Sequence, residues 1–149
     1  MLDATNPLHA QILDRLEKEE YGFFITVRPD GRPHAIPVCY IYEHGEHDED
    51  ENILIFSVPD SIKVRNIRGN PHVSLALDNF GFGDYFSVVV DGIAELVDEP
   101  TNWLHYPPYD TKYRALSQRA FGSDHVPDEY AAQFSQAIRM KTLKFRHDN

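Results

Sequence analysis

Residues 53–78, ILIFSVPDSIKVRNIRGNPHVSLALD, read as a strand, a turn, a short helix, a stop and a second strand. The apolar run Ile53 to Phe56 is the first strand, Ser57 to Asp60 the turn, Ser61 to Arg68 the helix, and Val73 to Leu77 the returning strand. Asp60 or Ser61 is placed to cap the helix by accepting from its free amides, and Gly69-Asn70-Pro71 ends it. A helix start presents unpaired N–H groups and partial positive charge, so an anion can rest there. No acidic residue occurs from Ser61 to Leu77, whereas Lys63, Arg65 and Arg68 are basic, in a chain of formal net charge −10. Local charge therefore opposes global charge, which fits either a phosphate pocket or a solvated helix face carrying cations.

Composition limits what surrounds this unit. With 149 residues, 42% hydrophobic and 12% aromatic, the chain suffices for one core and is short for two, so residues 1–149 are expected to form a single domain. A sequence pI near 5.1 argues against nucleic acid or an anionic membrane as partner. The single Cys39 rules out an internal disulfide and a zinc-finger framework. With no signal-peptide pattern and no apolar run of spanning length, a cytoplasmic protein is expected.

Outward from the centre, Asn6-Pro7 opens a helix whose apolar stripe is Leu8, Ile12, Leu13 and Leu16, ended by Tyr21-Gly22. Two extended runs, Phe23 to Val27 and Pro33 to Tyr42, flank Pro29-Asp30-Gly31-Arg32, a hairpin signal. The second run alternates His34, Ile36, Val38, Tyr40 and Tyr42 against Ala35, Pro37, Cys39 and Ile41, so both faces are apolar and both should be covered. Pro37 cannot donate to a ladder, which predicts an edge, a bulge or a place where backbone meets ligand. Cys39 reads as a small buried hydrophobe.

His44 to Asn52, with Asp48, Glu49, Asp50 and Glu51, reads as a solvated hairpin tip, and Asn79 to Asp84 as a turn. The eight histidines show no HxH or HExxH pairing, so no metal site is expected. Tyr85 to Leu96 is the longest strand candidate, with Gly92 as a bulge. Pro100 to His105 is expected to start a short helix broken by Pro107-Pro108; Lys112 to Ala120 and Asp128 to Ser135 look helical, and Ala137 to Phe145 looks like a last strand with Ile138, Met140, Leu143 and Phe145 apolar. The pattern predicts an α+β fold built on a six-stranded antiparallel barrel.

The order Asp30-Gly31-Arg32-Pro33, His34 to Val38, Phe56-Ser57, then Ser61 to Leu75 resembles the pyridoxamine-phosphate-oxidase-like family, whose fold is the split β-barrel with flanking helices. Asp91 to Leu96, a helical insert and Phe134 to Met140 are similar to the branch that uses the deazaflavin coenzyme F-420; the resemblance runs from about Tyr21 onward. It implies that Ser57, Ser61 and Lys63 hold a cofactor phosphate, with Arg65 and Asn66 supplementing them, and that backbone at Pro37, Val38 and Cys39 lies along the ring system. Where flavin-binding members carry the first of two basic residues, this chain has Ile62, which suits F-420 better than FMN. Family members are homodimers whose pocket is completed by the partner, and Trp103, Tyr106 and Tyr109 are candidates for its wall or for helix-to-barrel packing.

The expectation is an oxidoreductase that passes hydride between a flavin or deazaflavin, F-420 favoured, and a small organic molecule. The ring would carry the chemistry, so no catalytic residue is expected to stand out. An FMN-dependent oxidoreductase or a vitamin B6 phosphate oxidase proper is an alternative, the B6 oxidase being the weaker half because no basic cluster near the C-terminus could hold a second phosphate. A non-catalytic binder of flavin or haem is another, although no histidine nominates itself as an axial ligand.

Overall fold

The computed structural model describes residues 2–44, 51–77, 87–99 and 103–148. Six antiparallel strands close a barrel in the order β1-β2-β3-β6-β5-β4. They are β1 (Tyr21–Val27), β2 (Pro33–Glu43), β3 (Asn52–Ser57), β4 (His72–Leu77), β5 (Ser87–Val97) and β6 (Gln136–Asp148). Helix α1 (Pro7–Lys18) precedes the barrel, α2 (Ile62–Gly69) links β3 to β4, and α3 (Pro107–Phe121) and α4 (Asp128–Ala131) lie between β5 and β6. The expected α+β split barrel is what the chain forms.

Two apolar clusters organise the molecule. One fills the barrel with Phe24, Tyr40, Ile53, Ile55, Leu75, Val88, Val90, Ile138 and Met140, and α1 and α2 close onto it through Ile12, Leu16, Val64 and Ile67. The other lies outside, where Ile41, Leu54 and Phe56 meet Trp103, Leu104, Tyr109, Tyr113 and Ala131 of the segment between β5 and β6. This second layer is why β2 and β3 are apolar on both faces: alternate residues serve alternate cores.

Local chemistry sets the boundaries. Asn6 accepts from the Leu8 and His9 amides and Pro7 takes the first helical position of α1. At Gly92 the β5–β6 ladder slips: Gly92 pairs with Thr142 and Asp91 with Lys144, which leaves Leu143 as the extra residue. A Cβ on Gly92 would lie 2.4 Å from the Lys141 carbonyl oxygen, so glycine is what allows the strands to approach there.

Several expectations need correcting. Leu143, read as part of an apolar face, is 61% exposed because the bulge reverses the alternation around it. Pro107 and Pro108 do not break a helix; they open α3, five residues before its expected start, in positions where a missing N–H costs nothing. Trp103–His105 forms a 3-10 turn, while residues 100–102 lie outside the described residues. Helix α4 covers four residues rather than Asp128 to Ser135. Among the described residues β6, with 13 residues, is longer than β5, with 11, while the expected start of β5 at Tyr85 lies outside them. Glu51, assigned to a solvated tip, is only 3% exposed and accepts from the Leu2 amide and the Tyr42 hydroxyl. Residues 45–50 of that tip, the turn at 79–84 and Tyr85-Phe86 lie outside the described residues.

Candidate functional site

The site is made by a mismatch in strand length. The ladder between β2 and β3 runs only from Tyr40, opposite Ile55, to Glu43, opposite Asn52, whereas β1 pairs with β2 from Pro33 to Cys39. The first half of β2 therefore has a strand partner on one side only. Alternate residues of an antiparallel strand aim their backbone groups at opposite neighbours. Both Tyr40 backbone groups bond to the Tyr113 hydroxyl, which also donates to Glu20, the residue just before β1. That phase turns Ile36 and Val38 toward β1 and leaves Pro37 and Ala35 facing the unpaired edge. Pro37 sits where its missing N–H breaks no ladder bond.

β3 ends at Ser57 and the chain turns through Asp60, whose φ of 63° is left-handed, into α2. Ser61 caps α2 by accepting from the Val64 amide, and its hydroxyl lies 2.9 Å from that of Ser57, which donates to the Val58 carbonyl. Arg68 reaches back 3.2 Å to Asp60 and fixes the turn.

A cleft of about 270 Å³ follows the open edge. It is lined by Pro37, Val38 and Cys39 of β2, by Phe56 and Leu104, by an aromatic wall of Tyr109, Tyr130 and Phe134, and by Lys63, the only cation among the lining residues. Burial pulls the Lys63 ammonium below the usual lysine range. No carboxylate pairs with it among the described residues. A partly buried, unpaired ammonium beside apolar walls is a receptor for an anion.

The wall is rigid. Phe56 stacks on Trp103 with ring centroids 5.5 Å apart and meets Tyr109 edge-on at the same separation. Tyr130 packs between Phe121 and Phe134, each 5.1 Å away, and is 43% exposed at the cleft mouth. Behind the cleft, the Lys112 ammonium lies 3.8 Å from the Tyr40 ring centre and donates to the Tyr40 carbonyl at 3.1 Å. Burial brings it down to about 8, against the pull of Cys39, Glu19, Glu20 and Glu17. Burial also pushes the Cys39 thiol up, beyond what Lys112 and the Tyr109 hydroxyl offset, so it is a protonated wall residue at neutral pH rather than a nucleophile.

Of the residues singled out from the sequence, the structure brings Pro37, Val38, Cys39, Lys63 and Tyr109 into one cleft. Ser57 is buried and Ser61 partly so, bonded to each other at the start of α2. Arg65 is exposed and does not line the cleft. Asn66 is buried, its amide spent on the Thr26 hydroxyl at 3.0 Å, so it anchors α2 to β1. Trp103 and Tyr106 pack behind the wall, Tyr106 donating to Glu43. Phe56, Leu104, Tyr130, Phe134 and Lys112 were not anticipated; an aromatic count after Trp103 hints at the wall, and nothing in the sequence marks Lys112.

Comparison with known proteins agrees with this fold. The model of the pyridoxamine 5'-phosphate oxidase family matches residues 8–146. The chain belongs to that family. Among solved structures, this family member is similar to the conserved hypothetical protein Rv2991 of Mycobacterium tuberculosis, at 25% identity and a TM-score of 0.63 over 93% of this chain and 82% of the other. An F420 reductase matches at 24% identity and a TM-score of 0.63, covering 89% and 94% of the two chains. A FAD-binding protein of Mesorhizobium loti matches at 23% identity with the same TM-score, covering 93% and 90%. The last two show the shared fold. No curated protein matches the chain.

Proposed function

We propose that this member of the pyridoxamine 5'-phosphate oxidase family is an oxidoreductase that binds a phosphorylated flavin or deazaflavin in the cleft along the open edge of β2. One observation carries the reading: Lys63, an ammonium with no carboxylate partner among the described residues, lines an apolar, aromatic-walled slot beside free backbone. Lys63 would hold the anionic tail, the Ala35 and Pro37 backbone the ring edge, and Tyr109 and Phe56 its face. When bound, the ring supplies hydride transfer to or from a small organic molecule. The protein's part is to seat it, exclude water and leave one face open. Clefts that bury a drug-sized ligand run to about 300–1,000 Å³, so a slot of about 270 Å³ takes one ring system and leaves the substrate outside it. A second copy of the chain would supply the missing wall, which makes a homodimer with the site at its interface part of the proposal.

F-420 is favoured over FMN because Ile62, 41% exposed, stands where a second cation would serve the phosphate. The likeness to an F420 reductase supports the same choice. Among the described residues no helix is long and apolar enough to cross a membrane, and the cytoplasm is the compartment proposed. Titrating purified protein with F-420 and with FMN, followed by absorption and fluorescence, tests the reading. Saturable binding with F-420 preferred is expected. Preference for FMN would move the assignment to the flavin oxidases, and binding of neither would overturn it.

A further inference from the structure

Two basic residues that do not line the cleft, Arg28 and His34, act on the same region as Lys63. Thr26 of β1 stands opposite His34 of β2, so the two share a face. Asn66 of α2 bonds Thr26 from that face, and Lys63 lies one turn before Asn66 on the same side of the helix, which sets it beside His34. Arg28 belongs to the turn that joins the two strands, its amide donating to the Arg32 carbonyl at 2.8 Å. The charged groups that act on His34 are Arg28 from the turn and Lys63 from α2, and Thr26 opposite does not titrate.

The Nδ1 atom of His34 is buried with no hydrogen-bond partner. Neither Arg28 nor Lys63 is paired with a carboxylate among the described residues. Burial first, then Arg28 and Lys63, lower the His34 pKa below the ordinary imidazole value, so the ring is neutral at pH 7. An unsatisfied ring nitrogen under the influence of two cations that have no carboxylate partner among the described residues favours an anion there.

We propose that Arg28, His34 and Lys63 together form the receptor for a phosphate or similar oxyanion, and that His34 takes up a proton from solvent when the anion binds. The inference rests on the function proposed above only for which molecule carries the anion. The arriving negative charge opposes both cationic neighbours and gives Nδ1–H an acceptor, so the pKa of His34 rises in the complex. The complex then holds more protons than the free protein, and binding tightens as pH falls from the raised His34 pKa of the complex to the lowered one of the free protein.

Sulfate is the probe, because its charge stays constant over about pH 5–8, where histidine titrates. The His34 ring signals, assigned by their loss in His34→Gln, are titrated by NMR with and without sodium sulfate at fixed ionic strength. The proposal predicts that sulfate moves the His34 titration to higher pH, that Arg28→Gln weakens sulfate roughly tenfold or more, and that His34→Gln flattens the pH dependence. An unmoved His34 titration, or wild-type sulfate affinity in Arg28→Gln, would overturn it. If F-420 or FMN binds while sulfate leaves His34 unmoved, the receptor falls and the cofactor reading stands; if sulfate moves His34 but neither cofactor binds, the receptor stands and the cofactor reading falls.

Discussion

Asn66 shows how one side chain can be legible and still carry a structural bond the sequence does not display. Its spacing from Ser61 and Lys63 put it on the right helix, and family resemblance put it at the cofactor. Only the packing of α2 on β1 reveals that its amide faces Thr26, which is itself fully buried. Asn66→Ala strands that hydroxyl, and urea unfolding should show a loss of about 1–3 kcal/mol. Lys63, by contrast, was marked by its charge in an acid-free stretch, and the structure keeps it in the cleft. Lys112 was silent in the sequence because a lysine on an amphipathic helix looks the same whether its tip is in water or on a tyrosine ring. Its folded pKa of about 8 lies below the unfolded value near 10.4. The folded state thus releases this proton first: its contribution to stability is complete above about pH 10.4 and is lost as pH falls through about 8. Unfolding measured across that range should show wild type gaining stability relative to Lys112→Met as pH rises, and a constant difference would contradict the burial of that ammonium.

At the scale of elements, the unit from β3 through α2 to β4 was readable because every signal agreed: apolar strands, a serine cap and a Gly-Asn-Pro stop. The segment after β5 was less so. Prolines were taken as breakers, yet Pro107 and Pro108 begin α3, and the difference depends on which side of them the helix lies. Gly92 was read as a bulge and sits at one, but the extra residue, Leu143, is on the opposite strand, which periodicity within β5 does not disclose. The glycine is needed because the Lys141 carbonyl and the Met140 side chain occupy the space of a Cβ. Backbone cannot yield there cheaply. Gly92→Ala should cost about 1–3 kcal/mol in thermal or urea unfolding, whereas Leu143→Ser on the exposed side should change stability little.

Across the whole molecule, the proposed function depends on one short ladder in a closed barrel. The six strands form a barrel, yet β2 outruns β3, and α2 with the Trp103-to-Phe134 segment borders the gap instead of filling it. The barrel was foreseeable from strand count and hairpin signals; of the gap only Pro37 gave a sign, because its extent depends on where one ladder stops. Its open side is where a second copy is proposed to lie. Light scattering on the purified chain should give about twice the mass expected from 17.2 kDa. A monomer that still bound cofactor tightly would show that the slot needs no partner wall.

The claim on which the functional reading depends is that Lys63 grips the anionic tail of a ring seated along the open edge of β2. The direct measurement is the dissociation constant of F-420, and of FMN beside it, for wild type and for Lys63→Ala under one buffer and salt. The account predicts a loss of about 1.5–3 kcal/mol, roughly tenfold to 150-fold in affinity; equal affinities in a folded Lys63→Ala protein would contradict it.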